Sequence, residues 1–204
     1  MARTLQQLAQ GERQIEVVRQ MLVEEPGYDS YKLFKLLDPE SNGYIDRIAL
    51  KTFLRKHNIY INDEDAYALI RRYSSSTQPM NYAAFVQCLE PIGSPVRNKK
   101  SKSVLSLPSG IEIKQFTSAE ERLMVYKMKT ELELERTLKV MKELMSEEAE
   151  YSLYDAFRDA DTNESGYLDP HEIDQALQKQ GIFLTQVELS ALLNKLDKNH
   201  DGKI

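Results

Sequence analysis

Apolar side chains recur at helical spacing along most of the chain. Leu8, Ile15, Val18 and Leu22 form one stripe, and Pro26-Gly27 ends it. A second long helix is predicted after Thr117-Ser-Ala-Glu-Glu, a start signal, with Leu134, Leu138, Met141 and Met145 on one face. Shorter helices are expected behind each stripe. Thr185 to Glu188, "TQVE", reads as a capping box opening one of them, and Gly181 fits the C-terminal end of the one before. The two stripes are most simply core, covering the apolar segments that follow them; a partner-binding face is the alternative. From Pro91 to Phe116 the character changes to Pro, Ser and Lys, so this stretch is expected to be a linker without a long helix or strand. Its basic run, Arg97, Lys99, Lys100 and Lys102, is most simply a solvated one, open to rapid proteolytic cutting.

The polar segments between helices carry the chemistry. In "RDADTNESGYLDPHEIDQAL", Asp161, Asn163, Ser165, Gly166, Tyr167, Asp169 and Glu172 occupy positions 1, 3, 5, 6, 7, 9 and 12 of a twelve-residue run. The pattern resembles the calcium loop of the EF-hand family over all twelve positions. The resemblance implies a metal site in which Asp161, Asn163 and Ser165 turn side-chain oxygens inward. Tyr167 offers its backbone carbonyl, Asp169 acts directly or through water, and Glu172 closes the sphere with both oxygens. Calcium, a hard cation that takes six to eight oxygens, suits such a set. Gly166 permits the sharp turn, because a residue without Cβ tolerates positive φ. Asp169-Pro170 is an N-cap followed by proline at the first helical position. Serine at position 5 departs from the commoner Asp or Asn and removes one charge, so moderate affinity is expected.

The pattern repeats 123 residues earlier. Asp38, Glu40, Asn42, Gly43, Tyr44 and Asp46 fit positions 1, 3, 5, 6, 7 and 9, but Ala49 stands at position 12. The same offset matches Glu12 with Glu135, Val17 with Val140, Tyr28 with Tyr151, Phe34 with Phe157 and Leu54 with Leu177, so the repeat includes the leading helix. In this family loops pair through a short β-bridge at position 8. The partner of the Asp38 loop is "RRYSSSTQPMNYAAFVQCL", with Met80 at position 8 and no carboxylate from Ser74 to Gln78. The partner of the Asp161 loop begins at Asp197, with Asn199, Asp201, Gly202, the Lys203 carbonyl and Ile204 at positions 3, 5, 6, 7 and 8. The sequence stops inside that loop, as a fragment would.

The formal net charge of −5 argues against a general nucleic-acid binder, which needs a basic footprint. One cysteine, Cys88, permits no intrachain disulfide, and core packing is its expected role. No apolar run approaches the ~20 residues that span a bilayer, and the N-terminus lacks a signal peptide's apolar region, so a cytoplasmic setting is expected. No nucleophile–base pair, hydrolase motif or nucleotide loop is visible, which speaks against an enzyme. His57, His171 and His200 are scattered, the last two at positions 11 and 4 of loops, where no ligand is needed.

The expected fold is all-α: two EF-hand pairs, each preceded by an additional helix. The expected segments are 1–90 with a degenerate pair, a linker at 91–116, and 117–204 with the calcium-binding pair. The resemblance implies a calcium-binding protein acting as a sensor or calcium-responsive interaction module, with a protein partner such as a helical peptide. The alternative is a scaffold of a cytoskeletal assembly. Multi-pair chains with degenerate loops and leading helices are similar in architecture to proteins inside the ciliary (axonemal) doublet microtubule, where calcium would matter little.

Overall fold

In the computed structural model, residues 2–74, 79–92, 118–147, 152–197, 199 and 201–204 are described. Most of the expected linker, its basic run and His200 lie outside them. The described chain is all-α apart from short paired segments: α1 (Ala2–Glu24), α2 (Ser30–Leu37), β1 (Tyr44–Ile45), α3 (Arg47–Lys56), α4 (Asp63–Arg71), β2 (Met80–Asn81), α5 (Tyr82–Leu89), α6 (Ala119–Glu147), α7 (Leu153–Ala160), α8 (Pro170–Lys179) and α9 (Gln186–Leu196). The internal repeat carries through element by element. The starts of α2, α3 and α4 and those of α7, α8 and α9 differ by the same 123 residues.

Local chemistry sets the boundaries. Asp29 caps α2 by accepting from the Tyr31 and Lys32 amides, and Ser118 Oγ accepts from the Glu121 amide at the start of α6. Asn62 with Asp65, Asp169 with Glu172, and Thr185 with Glu188 each close a reciprocal capping box, meeting amides that a helix start leaves open. Gly181, at φ 74°, follows the end of α8 as expected.

The chain divides into two compact units. One holds residues 1–17 and 130–204, the other residues 18–129. This differs from the consecutive segments 1–90 and 117–204. The divisions fall inside α1 and inside α6, so each unit takes part of each leading helix. The physical reason lies in the stripes. A stripe longer than one EF-hand pair can cover leaves apolar length for a second.

In the first unit, Leu8, Ala9 and Ile15 of α1 share one core with Leu134 and Leu138 of α6, Ile173 and Leu177 of α8, Ile182, and Leu189 and Leu192 of α9. In the second, Val18 and Leu22 of α1 and Leu123, Met124 and Met128 of α6 are buried. So are Leu33, Phe34, Leu37, Phe53, Leu54, Leu69, Ile70 and Phe85 of the four EF-hand helices. Phe34 meets Phe85 edge-on at 5.5 Å between ring centres.

The second unit also buries charge. Lys127, on α6, has no exposed surface; its Nζ donates to Tyr73 Oη at 3.3 Å and to Cys88 Sγ at 3.0 Å. Arg19, on α1, donates to the same Tyr73 oxygen at 2.8 Å and to the Cys88 carbonyl at 3.2 Å. Cys88 is buried, as expected. Paired in this way, the cations fix how both leading helices lie on α5 within that unit, since an unpaired buried charge costs several kcal/mol.

Candidate metal centre

The Asp161 loop runs from the end of α7 to the start of α8. Asp161 is buried and accepts from the Ser165 amide at 2.9 Å through Oδ1 and from the Gly166 amide at 2.8 Å through Oδ2. Asn163 Oδ1 also accepts from the Ser165 amide at 2.9 Å, and Ser165 Oγ donates to the Tyr167 carbonyl at 3.1 Å. Two residues take left-handed backbone in this curl: Gly166 at φ 79° and, less comfortably, Glu164 at φ 54°.

Glu172 ties the two ends of the loop together. Its side chain is buried, and Oε1 accepts from the Thr162 amide at 3.0 Å, the Thr162 hydroxyl at 3.1 Å and the Asn163 amide at 3.3 Å. Oε2 accepts from the Asp169 amide at 3.1 Å, while Asp169 Oδ1 accepts from the Glu172 amide at 2.8 Å. Thr162 is therefore a positioning residue that the spacing pattern did not single out. A hydroxyl beside position 3 was its only signal.

The partner loop starts at the end of α9. Asp197, buried, accepts from the Gly202 amide at 2.8 Å; Asp201 accepts from the Lys203 amide and from the Asn199 side chain, both at 2.9 Å. Leu168 and Ile204 exchange both backbone hydrogen bonds, at 2.9 and 3.0 Å, which is the expected bridge at position 8. Lys203 Nζ lies 5.6 Å from the centre of the Tyr167 ring, so the two position-7 side chains also meet.

In the other unit, Ile45 pairs with Met80 and Tyr44 with Asn81 in the equivalent antiparallel bridge. Asp38 accepts from the Asn42 and Gly43 amides as Asp161 does from its own loop. The difference is at Ala49, whose amide donates to Asp46 Oδ1 at 2.8 Å with nothing returned. Glu172 fills the same place with a buried carboxylate. A cavity of about 250 Å3 opens there instead, lined by Asp38, Asn42, Asp46, Ala49 and Lys56 among others. Lys35 Nζ lies 3.9 Å from Asp38 Oδ2 and donates to Ser41 Oγ at 2.9 Å, so an ammonium already sits beside this carboxylate.

The donor chemistry of the Asp161 loop fits a calcium ion. Three carboxylates, an amide oxygen, a hydroxyl and a backbone carbonyl supply hard oxygens within twelve residues. Asp161, Asn163, Ser165, Tyr167, Asp169 and Glu172 are the residues that would hold it. Their carboxylates are engaged with backbone amides, and among the described residues no three His, Cys, Asp or Glu side chains converge as a ready metal cluster. His171 bonds Gln175 on the surface, away from these oxygens.

The comparisons with known proteins agree with the loop geometry. A family model described as an EF-hand domain pair matches residues 150–204. A stretch of 49 residues, 24% of this chain, is 45% identical to "Mitochondrial substrate carrier family protein C" of Dictyostelium discoideum. That stretch spans about a tenth of the other protein, 10% of its length. Among the described residues, no helix is long and apolar enough to cross a membrane. With its two loops bridged at Leu168 and Ile204, the C-terminal segment, residues 150–204, is an EF-hand domain pair of the EF-hand calcium-binding superfamily.

Proposed function

We propose that this protein binds calcium chiefly through the Asp161–Glu172 loop and acts as a calcium-responsive interaction module for a protein partner. One observation carries the proposal: Glu172 already reaches across its loop, joining the start of α8 to Thr162 and Asn163. A bound calcium ion would supply concentrated positive charge in place of those amides. The chain's part is to present the oxygens, hold the loop closed through Asp161 and Gly166, and carry any shift of Glu172 into α8. We read it as a binding protein and not an enzyme. A cytoskeletal or ciliary scaffold role has no observation in its favour.

Isothermal titration of the full chain with calcium tests the proposal. A site in the micromolar to about hundredfold weaker range is expected. Absence of calcium binding up to millimolar concentration, or binding that Glu172→Gln leaves unchanged, would overturn it.

A further inference from the structure

The core of the second unit holds two side chains for which the calcium function has no use. Lys127 Nζ donates to Cys88 Sγ at 3.0 Å, the separation usual for a donor on the smaller oxygen atom. Cys88 is 2% exposed and Lys127 has no exposed surface. An apolar side chain would fill the place of Lys127 at less cost, because a buried cation gives up its water and regains the loss only through well-made contacts. Packing alone does not account for a lysine here.

The neighbours aim the two atoms at each other. Tyr73 Oη accepts from Nζ at 3.3 Å, and Nζ lies 4.9 Å from the centre of the Tyr73 ring. Arg19 anchors both sides of the contact: it donates to Tyr73 Oη at 2.8 Å and to the Cys88 carbonyl at 3.2 Å. The sulfur is carried by α5 and the nitrogen by α6, two elements that meet here without a covalent link. A sulfur and a nitrogen held in contact, both rich in electrons once their protons leave, form a site at which an oxidant can join them.

We propose that Cys88 and Lys127 form a redox-sensitive crosslink, in which dioxygen joins Sγ to Nζ through one oxygen atom as an N–O–S bridge. Counted as a thiol and an amine, the pair consumes one dioxygen molecule. The S–H bond, one N–H bond and the O–O bond break. New S–O and N–O bonds form to the same oxygen atom, and the two hydrogens leave with the other oxygen as water. Sulfur and nitrogen each give up two electrons, and dioxygen accepts all four. An ammonium releases its extra proton to solvent. Burial selects the reagent: a small neutral molecule can penetrate a packed core, whereas glutathione or another protein's thiol needs the sulfur at the surface. Geometry selects the product. A bridging oxygen spans most of the 3.0 Å already present, while a direct N–S bond would draw α5 and α6 together further than close packing allows. The bridge ties α5 to α6 and closes the chain between them into a loop, which restricts the unfolded state and stiffens this unit.

Intact-mass measurement on the full chain tests this. Reduced protein is held in air-saturated or in dioxygen-free buffer, then denatured and treated with iodoacetamide. In air, a species heavier by about 14 Da is expected, one oxygen gained and two hydrogens lost, with its thiol closed to alkylation. Dithiothreitol should restore both the mass and the thiol. Trypsin should leave the chain uncut after Lys127 and yield one product that contains Cys88 and Lys127 together. The bridged form should unfold at higher urea than the reduced form. Cys88→Ser and Lys127→Arg should each abolish the bridged species, the second while keeping a cation. The wild-type masses decide the matter even where a variant fails to fold. A thiol that remains fully open to alkylation after exposure to air would overturn the proposal. So would gains of about 16, 32 or 48 Da confined to the Cys88 peptide, which are stepwise oxidation of sulfur alone. A loss of about 2 Da, the mark of a direct N–S bond, or a disulfide-linked dimer would overturn it equally.

Discussion

Glu172 and Ala49 stand at equivalent places in two loops, and the contrast yields the first predictions. Glu172→Gln keeps the shape but weakens both the charge and the hold on the Thr162 and Asn163 amides. Calcium affinity should fall by about a hundredfold, roughly 2.7 kcal/mol. Glu164→Gln, at an exposed loop position, should change affinity less than about threefold. Equal effects from the two would mean that the loop register is wrong. Ala49→Glu should place a carboxylate in the cavity beside Asp38 and Asp46 and return the missing half of the capping box. In a chain already carrying Glu172→Gln, it should add a weak calcium site, and Lys35→Gln should tighten that site by removing the ammonium 3.9 Å from Asp38. Titration stoichiometry reads the outcome; no heat from the triple variant would count against it. The residues proposed as donors stand out in the sequence because calcium dictates oxygen spacing along the chain. Thr162 and Lys35 do not, since each acts on a ligand through the folded loop and not through the pattern.

Individual elements depend on caps and on buried titrating groups. Thr185→Ala removes both the acceptor for the Glu188 amide and a donor to the Glu188 carboxylate. It should destabilise the chain by about 1 kcal/mol in urea denaturation. The backbone amide of Thr185, and then its hydroxyl, hold the Glu188 carboxyl below its usual range. At the end of α3, burial pushes the His57 imidazole below its ordinary value of 6.5, and Glu121, 3.2 Å away, only partly offsets this. The unfolded chain therefore takes up this proton first as pH falls. Stability from a neutral His57 is present above about pH 6.5 and is lost below it, down through the lowered folded value. The urea midpoint should drop between pH 7.5 and 5.5, and drop less in His57→Gln; equal slopes would refute the assignment. Helix ends were legible because their signals are local: Pro26-Gly27, the Asp169 and Thr185 caps, and Gly181. What α1 covers was not legible. Apolar periodicity states that a face must be buried, and hydrophobic burial carries no address. Gly11, an interior glycine where the backbone must approach Leu134, was the one mark of the contact.

At the scale of the molecule, each compact unit contains chain from both sides of the stretch 91–116. Trypsin is expected to cut at the lysine run Lys99–Lys102, and the two pieces should nevertheless remain together. Under native size exclusion they should elute as one species, separating only in denaturant. Independent elution of an N-terminal and a C-terminal piece would restore a consecutive arrangement. The same interlacing has a consequence for how the protein is made. Residues 2–17 are synthesised long before Leu189 and Leu192, which complete their seat. At about 5–20 residues per second, the nascent helix waits on the order of ten to thirty-five seconds with its apolar side uncovered. Contacts so distant in sequence form slowly even in the finished chain. Ribosome-bound chains halted before α9 should accordingly engage chaperones through Leu5, Leu8 and Ile15, and premature termination would leave a sticky amino-terminal segment with no groove of its own to fill.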